Sequence, residues 1–191
     1  MTERQFYFET DRLILRSWEA ADLRFVSEIN ADPQVMRYFP SVMSAGESMA
    51  FFKRAENKSE TDGFCFSPVE DRATGEFLGF VGLSRPTYVK PLPFDPCVEI
   101  GWRLKRSAWG KGYASEAAKA WLRFGFETLD LSEIVSFTAH PNEPSQRVMQ
   151  RLGMERDRDG DFLMPSLDPD HWLAPHALYR LGRTRWCQDL S

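Results

Sequence analysis

The chain of 191 residues is poor in cysteine and has no long apolar run. Its three cysteines, at positions 65, 97 and 187, form an odd set without paired spacing, which argues against a secreted, disulfide-stabilised scaffold. Because the longest purely apolar run is only a few residues, we expect no membrane-spanning segment. The opening MTERQFYFETDR lacks the apolar core of a signal peptide. These scarcities favour a cytoplasmic protein.

An excess of positive charge and a histidine cluster are missing as well. The chain has 24 Lys and Arg against 28 Asp and Glu, a formal net charge of −4, so we expect no direct binding to nucleic acid. The three histidines, His140, His171 and His176, have no spacing typical of metal ligands, and Pro175 interrupts any helix between the last two. We therefore expect no metal site.

Aromatic and apolar residues are plentiful. Hydrophobic residues make up 42% of the chain, and 15 Phe and 6 Trp supply core material, which excludes disorder as the main state. A chain of this length buries about 70% of its unfolded surface on folding, so it needs no metal or disulfide to form a core. The sequence predicts a single domain over residues 1–191, as a monomer or a homodimer.

Hydrophobic spacing and turn residues give the expected order of elements. Helices are predicted over 19–29, 45–58, 112–128 and from 144 to about 152, the second after the capping box of Ser44 and Glu47. Strands are predicted over 13–15, 64–66, 76–84, 98–104, 134–138, 162–164 and 177–181. Residues 85–97 read as a proline-rich loop and residues 155–161 as a charged turn. The glycines 79 and 82 inside a strand indicate a bulge or a close backbone approach. This order predicts an α+β or α/β domain with a mixed sheet.

The most informative segment is VEIGWRLKRSAWGKGYASEA, over residues 98–117. A strand leads into Gly110-Lys111-Gly112, and a helix begins directly afterwards. Two glycines let backbone N–H groups point towards one spot, and the helix start adds free donors and the positive end of its dipole. Such a turn suits a phosphate or pyrophosphate, although a simple tight connection has the same spacing. It fits neither the P-loop nor the dinucleotide-binding pattern, which need other residues around the glycines.

Three motifs in this order carry a family resemblance. Residues 10–16 read TDRLILR, residues 99–117 combine EIGWRL with WGKGYASEA, and residues 142–154 read NEPSQRVMQRLGM. They resemble the RimJ/RimL branch of the GNAT superfamily of acetyl-CoA-dependent N-acetyltransferases. Ser107 replaces the Gln or Arg that opens the family turn Q/R-x-x-G-x-G/A, and Met154 replaces a Phe. The resemblance covers about residues 9–154.

The resemblance implies an α+β, three-layer GNAT-like fold, in which a mixed, centrally splayed sheet is flanked by helices. It implies acetyl-CoA as the donor cosubstrate, with its pyrophosphate on the turn and its pantetheine arm in the splay. The implied coenzyme-binding residues are Trp102, Arg103, Leu104, Ser107, Trp109, Gly110, Lys111, Gly112, Tyr113, Ala114 and Asn142. For Asn142, a helix N-cap is the alternative role, and the two are compatible because the amide has two polar atoms.

Two residues are candidates for catalysis. Glu99, on the strand beside the splay, is the candidate general base, acting through water, because apolar neighbours would raise the pKa of its carboxyl. The alternative is a solvent-facing or Arg-paired carboxylate. Family members often use a Tyr as acid where this chain has Met149, so the resemblance points to Ser145 as the group that meets the leaving thiolate. Its alternative role is capping of its own helix.

The resemblance leaves the acceptor open. It is a primary amine, either a protein N-terminal α-amine or a small-molecule amine. A non-catalytic module that keeps a coenzyme A cleft as a sensor or interaction surface is the competing reading. Cys97 precedes Glu99, but nothing near it in sequence would lower the pKa of its thiol, so it is predicted to be structural.

Overall fold

A computed structural model describes residues 6–189 of the chain. Its contacts divide these residues into two compact units. We refer to residues 6–84 and 101–121 as unit 1, and to residues 85–100 and 122–189 as unit 2. Strand β5, Glu99–Leu104, begins in unit 2 and ends in unit 1.

Unit 1 is an antiparallel sheet with helices. Its strands are β1 (Phe6–Glu9), β2 (Leu13–Arg16), β3 (Ser67–Asp71) and β4 (Phe77–Ser84), in the spatial order β1-β2-β3-β4. Its helices are α1 (Asp22–Ala31), α2 (Ala45–Thr61) and most of α3 (Tyr113–Arg123). The capping box predicted for α2 is present: Glu47 N donates to Ser44 Oγ at 3.3 Å, and Ser44 N donates to the Glu47 carboxylate at 2.8 Å.

Aromatic packing and one buried ion cluster hold unit 1 together. Trp18 packs edge-on against Phe52, with ring centroids 5.3 Å apart, and both belong to an apolar cluster of α1, α2 and sheet residues. Arg16 is buried between Asp22 and Glu70, at 2.7 and 2.6 Å, and these two carboxylates raise the pKa of its guanidinium in spite of its burial. Removing one partner of such a buried pair leaves an uncompensated charge, so the cluster fixes how β2, β3 and α1 pack.

The glycines inside β4 lie where backbones approach closely, as the sequence predicts. A Cβ at Gly79 would overlap the backbone of Arg103 and Leu104, and one at Gly82 would overlap the backbone of Cys65 and Phe66. Gly79 also lies at a bulge in β4, where residue 78 is skipped in the register with β3, and it has φ +142°. No side chain fits at either position, which is why this apolar strand contains glycine.

Unit 2 contains a mixed sheet. Besides the start of β5 it has β6 (Glu133–Ala139), β7 (Glu155–Leu163) and β8 (Pro175–Gly182), in the order β5-β6-β8-β7. The β5–β6 pair is parallel, whereas β6–β8 and β7–β8 are antiparallel. Its helices are the end of α3, which continues as a π-helical turn over Phe124–Thr128, then α4 (Glu143–Arg151) and α5 (Arg183–Asp189). The α+β class with a mixed sheet and flanking helices is thereby confirmed.

Several predicted elements are wrong. Residues 64–66 are not a strand, because the ladder with β4 begins at Ser67. Residues 155–161 are not a turn but most of β7, in which several charged side chains are ion-paired; Asp157 binds Arg180 at 2.7 Å. Strand β1 and helix α5 were not predicted. In the described part of the chain, no helix is long and apolar enough to cross a membrane.

Candidate active site

The two-glycine turn takes the geometry that its sequence predicts. Gly110 and Gly112 have φ +73° and +81°, a region that favours glycine, and α3 begins at Tyr113. The first backbone bond of α3 is from Glu116 N to Gly112 O, at 3.0 Å. Within residues 6–189 no acceptor is seen for the N–H groups of the six residues from 110 to 115. The turn therefore offers a run of unused donors at a helix N-terminus, a typical setting for an anion.

The turn is held by residues that the sequence reasoning did not single out. Glu116 on α3 accepts from Thr10 Oγ1 at 2.6 Å, from Arg12 N at 3.0 Å and from Arg12 Nε at 2.7 Å. Arg12 Nη1 also donates to the carbonyl oxygen of Lys111 at 3.0 Å. Thr10 and Arg12 belong to the TDRLILR motif, and Glu116 belongs to WGKGYASEA. The two motifs are thus the two halves of one hydrogen-bonded cluster.

Charge and aromatic contacts complete this cluster. The Arg12 guanidinium lies 4.8 Å from the ring centroid of Tyr113, whose hydroxyl donates to Asp71 at 3.1 Å. Burial raises the pKa of Glu116, but the hydrogen bonds from Thr10 and Arg12 outweigh it, and the net pKa is lowered. Glu116 is therefore an ionised partner of Arg12 at neutral pH.

Ser107 and Trp109, just before the turn, are exposed. Ser107 lies on a short 3-10 helix, Arg106–Ala108. Trp109 is 40% exposed, and its Nε1 donates to the carbonyl oxygen of Leu104 at 2.8 Å. This bond folds the indole back over the end of β5. Lys111 is exposed, while Ala114 is half-buried.

The side chain of Arg103 is buried within unit 1. Its Nη1 donates to Asn30 Oδ1 at 2.5 Å, and its guanidinium lies 4.2 Å from the ring centroid of Phe39. The ring of Phe80 is 5.3 Å away. Trp102 is half-buried and Leu104 is buried. Since the side chain of Arg103 is committed to this aromatic shell, only its backbone is available to a ligand along β5.

The ladder between β5 and β6 is short. Glu99 pairs with Val135, whose N–H donates to the Val98 carbonyl oxygen at 2.9 Å. The next acceptor, the carbonyl oxygen of Ile100, is bound by the Ser136 hydroxyl at 2.9 Å rather than by a backbone N–H. A side chain thus replaces the backbone donor where the backbone ladder ends, as expected at the start of a splay.

Asn142 is the N-cap of α4. Its Oδ1 accepts from Ser145 N at 3.3 Å, and its Nδ2 donates to Thr138 Oγ1 at 2.8 Å. The N-cap role, given above as the alternative for Asn142, is therefore confirmed. One of the two hydrogens on Nδ2 remains available to a ligand. Ser145 takes part through its backbone N–H. Among residues 6–189 its half-buried hydroxyl has no hydrogen-bond partner, so it does not cap its own helix.

Glu99 and α4 lie on opposite faces of the unit 2 sheet. Tyr179 of β8 bonds with Gln146 and Gln150 of α4, so α4 covers the face that carries Tyr179. Tyr179 pairs with Ser136, whereas Glu99 pairs with Val135, the adjacent residue of β6. Successive residues of a strand point to opposite faces, which places the half-buried Glu99 away from α4.

The remaining candidates do not add catalytic chemistry. Burial, and then the nearby Asp95, raise the pKa of the Cys97 thiol to about 12, so it is protonated at neutral pH. His140 Nε2 lies 3.1 Å from an oxygen of Asp161, just after the end of β6. No group of three or more His, Cys, Asp or Glu side chains within residues 6–189 is arranged to hold a metal ion.

The structure thus distributes the predicted residues over both units. The turn, Ser107 and residues 102–104 lie in unit 1, while Glu99, Asn142 and Ser145 lie in unit 2. The donor-rich turn fits the pyrophosphate of coenzyme A chemically, since it offers backbone N–H groups to an anion and a left-handed backbone that keeps side chains out of the way.

Comparisons with known proteins agree with this geometry. The Acetyltransferase (GNAT) domain family matches residues 12–155. The uncharacterized N-acetyltransferase YnaD of Bacillus subtilis (strain 168) is 34% identical over 156 residues, which are 79% of this chain and 84% of the relative. The structure of a GNAT-family acetyltransferase from Bacillus anthracis has a TM-score of 0.74 at 26% identity, over 94% of this chain and 99% of that one.

A third comparison concerns the fold. The spermidine N-acetyltransferase from Vibrio cholerae, solved in complex with CoA and spermine, has a TM-score of 0.71 over 93% of this chain and 99% of that chain. Its identity is 20%, so it shows a shared fold. The family match and the relatives establish what the turn suggested: the chain belongs to the acetyltransferase (GNAT) family and is an acyltransferase.

Proposed function

We propose that the protein is an acetyl-CoA-dependent N-acetyltransferase of the RimJ/RimL-like branch, acting in the cytoplasm on a primary amine. The observation that carries this proposal is the run of unused N–H donors from residue 110 to 115, at a two-glycine turn before α3. Acetyl-CoA is the acyl donor of the family, and its pyrophosphate is the anion that such a turn suits. The acceptor is either a protein N-terminal α-amine or a small-molecule amine.

The proposed coenzyme contacts follow from which atoms are available. Backbone N–H groups over 110–114 bind the pyrophosphate, with Ser107 and the exposed Lys111 beside them. The N–H of Trp109, which the family resemblance includes, already donates to the Arg106 carbonyl oxygen at 3.1 Å, so Trp109 contributes through its exposed side chain. The backbone of 102–104 flanks the pantetheine arm, because the Arg103 side chain is engaged elsewhere. Asn142 contributes the hydrogen on Nδ2 that its bond to Thr138 leaves unused. Each of these roles is compatible with the hydrogen bonds that the residue already makes.

The proposed chemistry is direct transfer. The acceptor nitrogen forms a C–N bond with the thioester carbonyl carbon, the C–S bond breaks, and the nitrogen loses one proton. Glu99 takes this proton through water, and the Ser145 hydroxyl, which has no partner among residues 6–189, donates a hydrogen bond to the departing sulfur. A backbone N–H of β5 near Ile100 or Trp102 polarises the carbonyl. Bound acetyl-CoA supplies the activated acetyl group.

A thiol-release assay tests the proposal. Purified protein is incubated with acetyl-CoA and a panel of N-terminal peptides and small amines, and free coenzyme A is measured with a thiol reagent. We expect amine-dependent release, and much less with Gly112→Val at the same acetyl-CoA concentration. Tight coenzyme A binding without release for any amine would instead support a non-catalytic binding module, and no binding at all would overturn the coenzyme assignment.

A further inference from the structure

Three phenylalanine rings and one histidine form a cluster within unit 2. Phe94 lies 5.8 Å from Phe137 and 5.1 Å from Phe162, and Phe137 lies 5.7 Å from Phe162, as ring-centroid distances. The three interplanar angles are 61°, 80° and 74°, so each ring meets the others edge-on. His176 adjoins two of them, 5.5 Å from Phe162 and 6.4 Å from Phe137. We call Phe94, Phe137, Phe162 and His176 the aromatic wall.

Strand register places the aromatic wall on the face that carries Glu99. Glu99 pairs with Val135, and Phe137 follows Val135 by two residues, so both point to the same side. Phe162 pairs with His176, and His176 pairs with Ala139. Ala139 follows Phe137 by two residues, so Phe162 and His176 point to this side as well. Two residues of a strand span about 7 Å, so the wall begins within side-chain reach of the candidate base.

The wall is open and apolar. Helix α4 covers the other face of this sheet, and the three phenylalanines are each only half-buried, so their rings keep exposed surface. His176 is buried, and its Nδ1 lies 3.1 Å from the carbonyl oxygen of Ala174, to which it can only donate. Burial lowers the pKa of His176, which leaves the imidazole neutral at pH 7.

The positive charge beside the wall is already compensated. The Arg180 guanidinium lies 5.7 Å from the ring centroid of Phe94. It binds Asp157 and Glu133, each at 2.7 Å. These two carboxylates are therefore engaged by the guanidinium. The aromatic surface beside them stabilises apolar groups that lie against it.

We propose that Phe137 and Phe162, supported by Phe94, bind an apolar substituent of the acceptor. The acceptor is then an amine that carries an aromatic or branched aliphatic group near its nitrogen, rather than a polyamine or an amino sugar. This inference deepens the proposed function and rests on it, since it takes Glu99 to mark where the amine reacts. It selects one substrate class from those that the family resemblance leaves open.

Amino-acid amides test the inference, because they share one α-amine and differ in the side chain. We expect the wild-type protein to acetylate phenylalanine amide and leucine amide with kcat/KM at least tenfold above that of serine amide, and to leave spermidine almost unreacted. Phe162→Ala and Phe137→Ala should reduce this preference to below about threefold. Phe162→Leu keeps the wall apolar and should retain the preference. Leu163→Ala is the matched control, because this 51% exposed neighbour of Phe162 points to the other face.

Binding of phenylalanine amide to the coenzyme A complex, measured by calorimetry, separates the two proposals. Binding that weakens with Phe162→Ala but without acetyl transfer would support the wall and overturn the proposed function. Transfer to polar amines that is unaffected by Phe162→Ala would support the function and overturn the wall. Thermal unfolding identifies any variant that fails to fold. If Phe162→Ala fails, Phe162→Gln, which keeps much of the side-chain volume but is polar, replaces it and should likewise reduce the preference for leucine amide over serine amide, while an unchanged preference would overturn the wall.

Discussion

Arg12, in the turn between β1 and β2, binds Glu116 on α3 through its side chain and its backbone. Arg12 Nε and N donate to the two oxygens of the Glu116 carboxylate at 2.7 and 3.0 Å. Because Arg12 Nη1 also holds the Lys111 carbonyl oxygen, this one arginine fixes both the helix start and the turn before it. The two residues are 104 positions apart in the sequence. We call this long-range contact, which holds the donor-rich turn in place, the lock.

Glu116→Gln tests this lock. The folded-state pKa of Glu116 is lowered, so its carboxylate stabilises the fold above the unfolded pKa of about 4.3 and loses this effect as the pH falls through the folded pKa. We expect the variant to lose about 1–2 kcal/mol of unfolding free energy at pH 7, since hydrogen bonds to a charged group are being weakened. The difference from wild type should persist down to about pH 4 and shrink as the pH falls below it. Urea unfolding at several pH values measures it.

The same variant should weaken acetyl-CoA binding, because the turn is less well ordered. Glu127→Gln is a control: Glu127 lies 3.8 Å from Arg123 in an exposed i,i+4 pair and should change neither stability nor affinity noticeably. A pH-independent loss in Glu116→Gln would contradict an ionised lock.

Gly112→Val tests the turn itself. Gly112 has φ +81°, and a branched residue there strains the backbone and places a side chain where the pyrophosphate is proposed to bind. We expect the dissociation constant of acetyl-CoA to rise at least tenfold, about 1.4 kcal/mol, in calorimetry. Gly63→Val is the matched control, since Gly63 has φ +79° after α2 and should lose stability without losing affinity. Equal affinities in the two variants would refute the assignment.

Much of the fold could be predicted because periodicity reports local structure. The apolar spacing of α3 and the Ser44–Glu47 box predict helices that the structure contains. Strand β7 was missed because its charged residues resemble a turn, and only tertiary contacts such as Asp157 with Arg180 explain them. Residues 64–66 are apolar and have a high β-propensity, yet they form no ladder with β4. The backbone of residues 65 and 66 instead lies against Gly82. Propensity does not encode pairing partners.

The site was predictable where a motif maps to backbone geometry, and not where it depends on distant partners. Gly110 and Gly112 show their role in sequence, because few other residues adopt their conformation. The roles of Thr10, Arg12 and Glu116 appear only when the chain is folded, although all three lie in the quoted motifs. Nothing in the sequence around Ser136 indicates that its hydroxyl binds at the end of the β5–β6 ladder.

Substitutions of Ser145 and Asn142 should distinguish a catalytic role from a helix-capping role. Because the Ser145 hydroxyl has no hydrogen-bond partner among residues 6–189, Ser145→Ala should change stability by less than about 0.5 kcal/mol. Its kcat should fall roughly 10²-fold, with acetyl-CoA affinity nearly unchanged. Asn142→Ala removes the cap and should cost about 1 kcal/mol of stability. Thermal unfolding and steady-state kinetics on both variants check this; a Ser145→Ala variant with wild-type kcat would exclude the thiolate role.

Glu99→Gln tests the candidate base. Glu99→Gln keeps the shape of the side chain but cannot take a proton, so we expect a loss of about 10²–10⁴ in kcat/KM at pH 7. The loss should partly recover at high pH, where the amine is already deprotonated. With an α-amine, whose pKa is about 7.7–8.0, it should lie at the low end of this range, because much of the amine is neutral near pH 8. Full pH–rate profiles with the acceptor found in the amine panel measure both effects.

Cys97→Ser tests whether the Cys97 thiol, rather than Glu99 or the amine, sets the alkaline limb of the pH–rate profile. The Cys97 thiol, two residues before Glu99, has its pKa raised to about 12 by burial and by Asp95, so it stays protonated across the working range. Replacing Cys97 should therefore leave the pH–rate profile unchanged. A shift of the alkaline limb in Cys97→Ser would show instead that this limb reports the titration of the thiol. If Glu99→Gln matched the wild-type rate at pH 7, Glu99 would be structural and bulk water would take the proton. A loss that is constant at every pH would indicate that Glu99 positions the amine without accepting its proton.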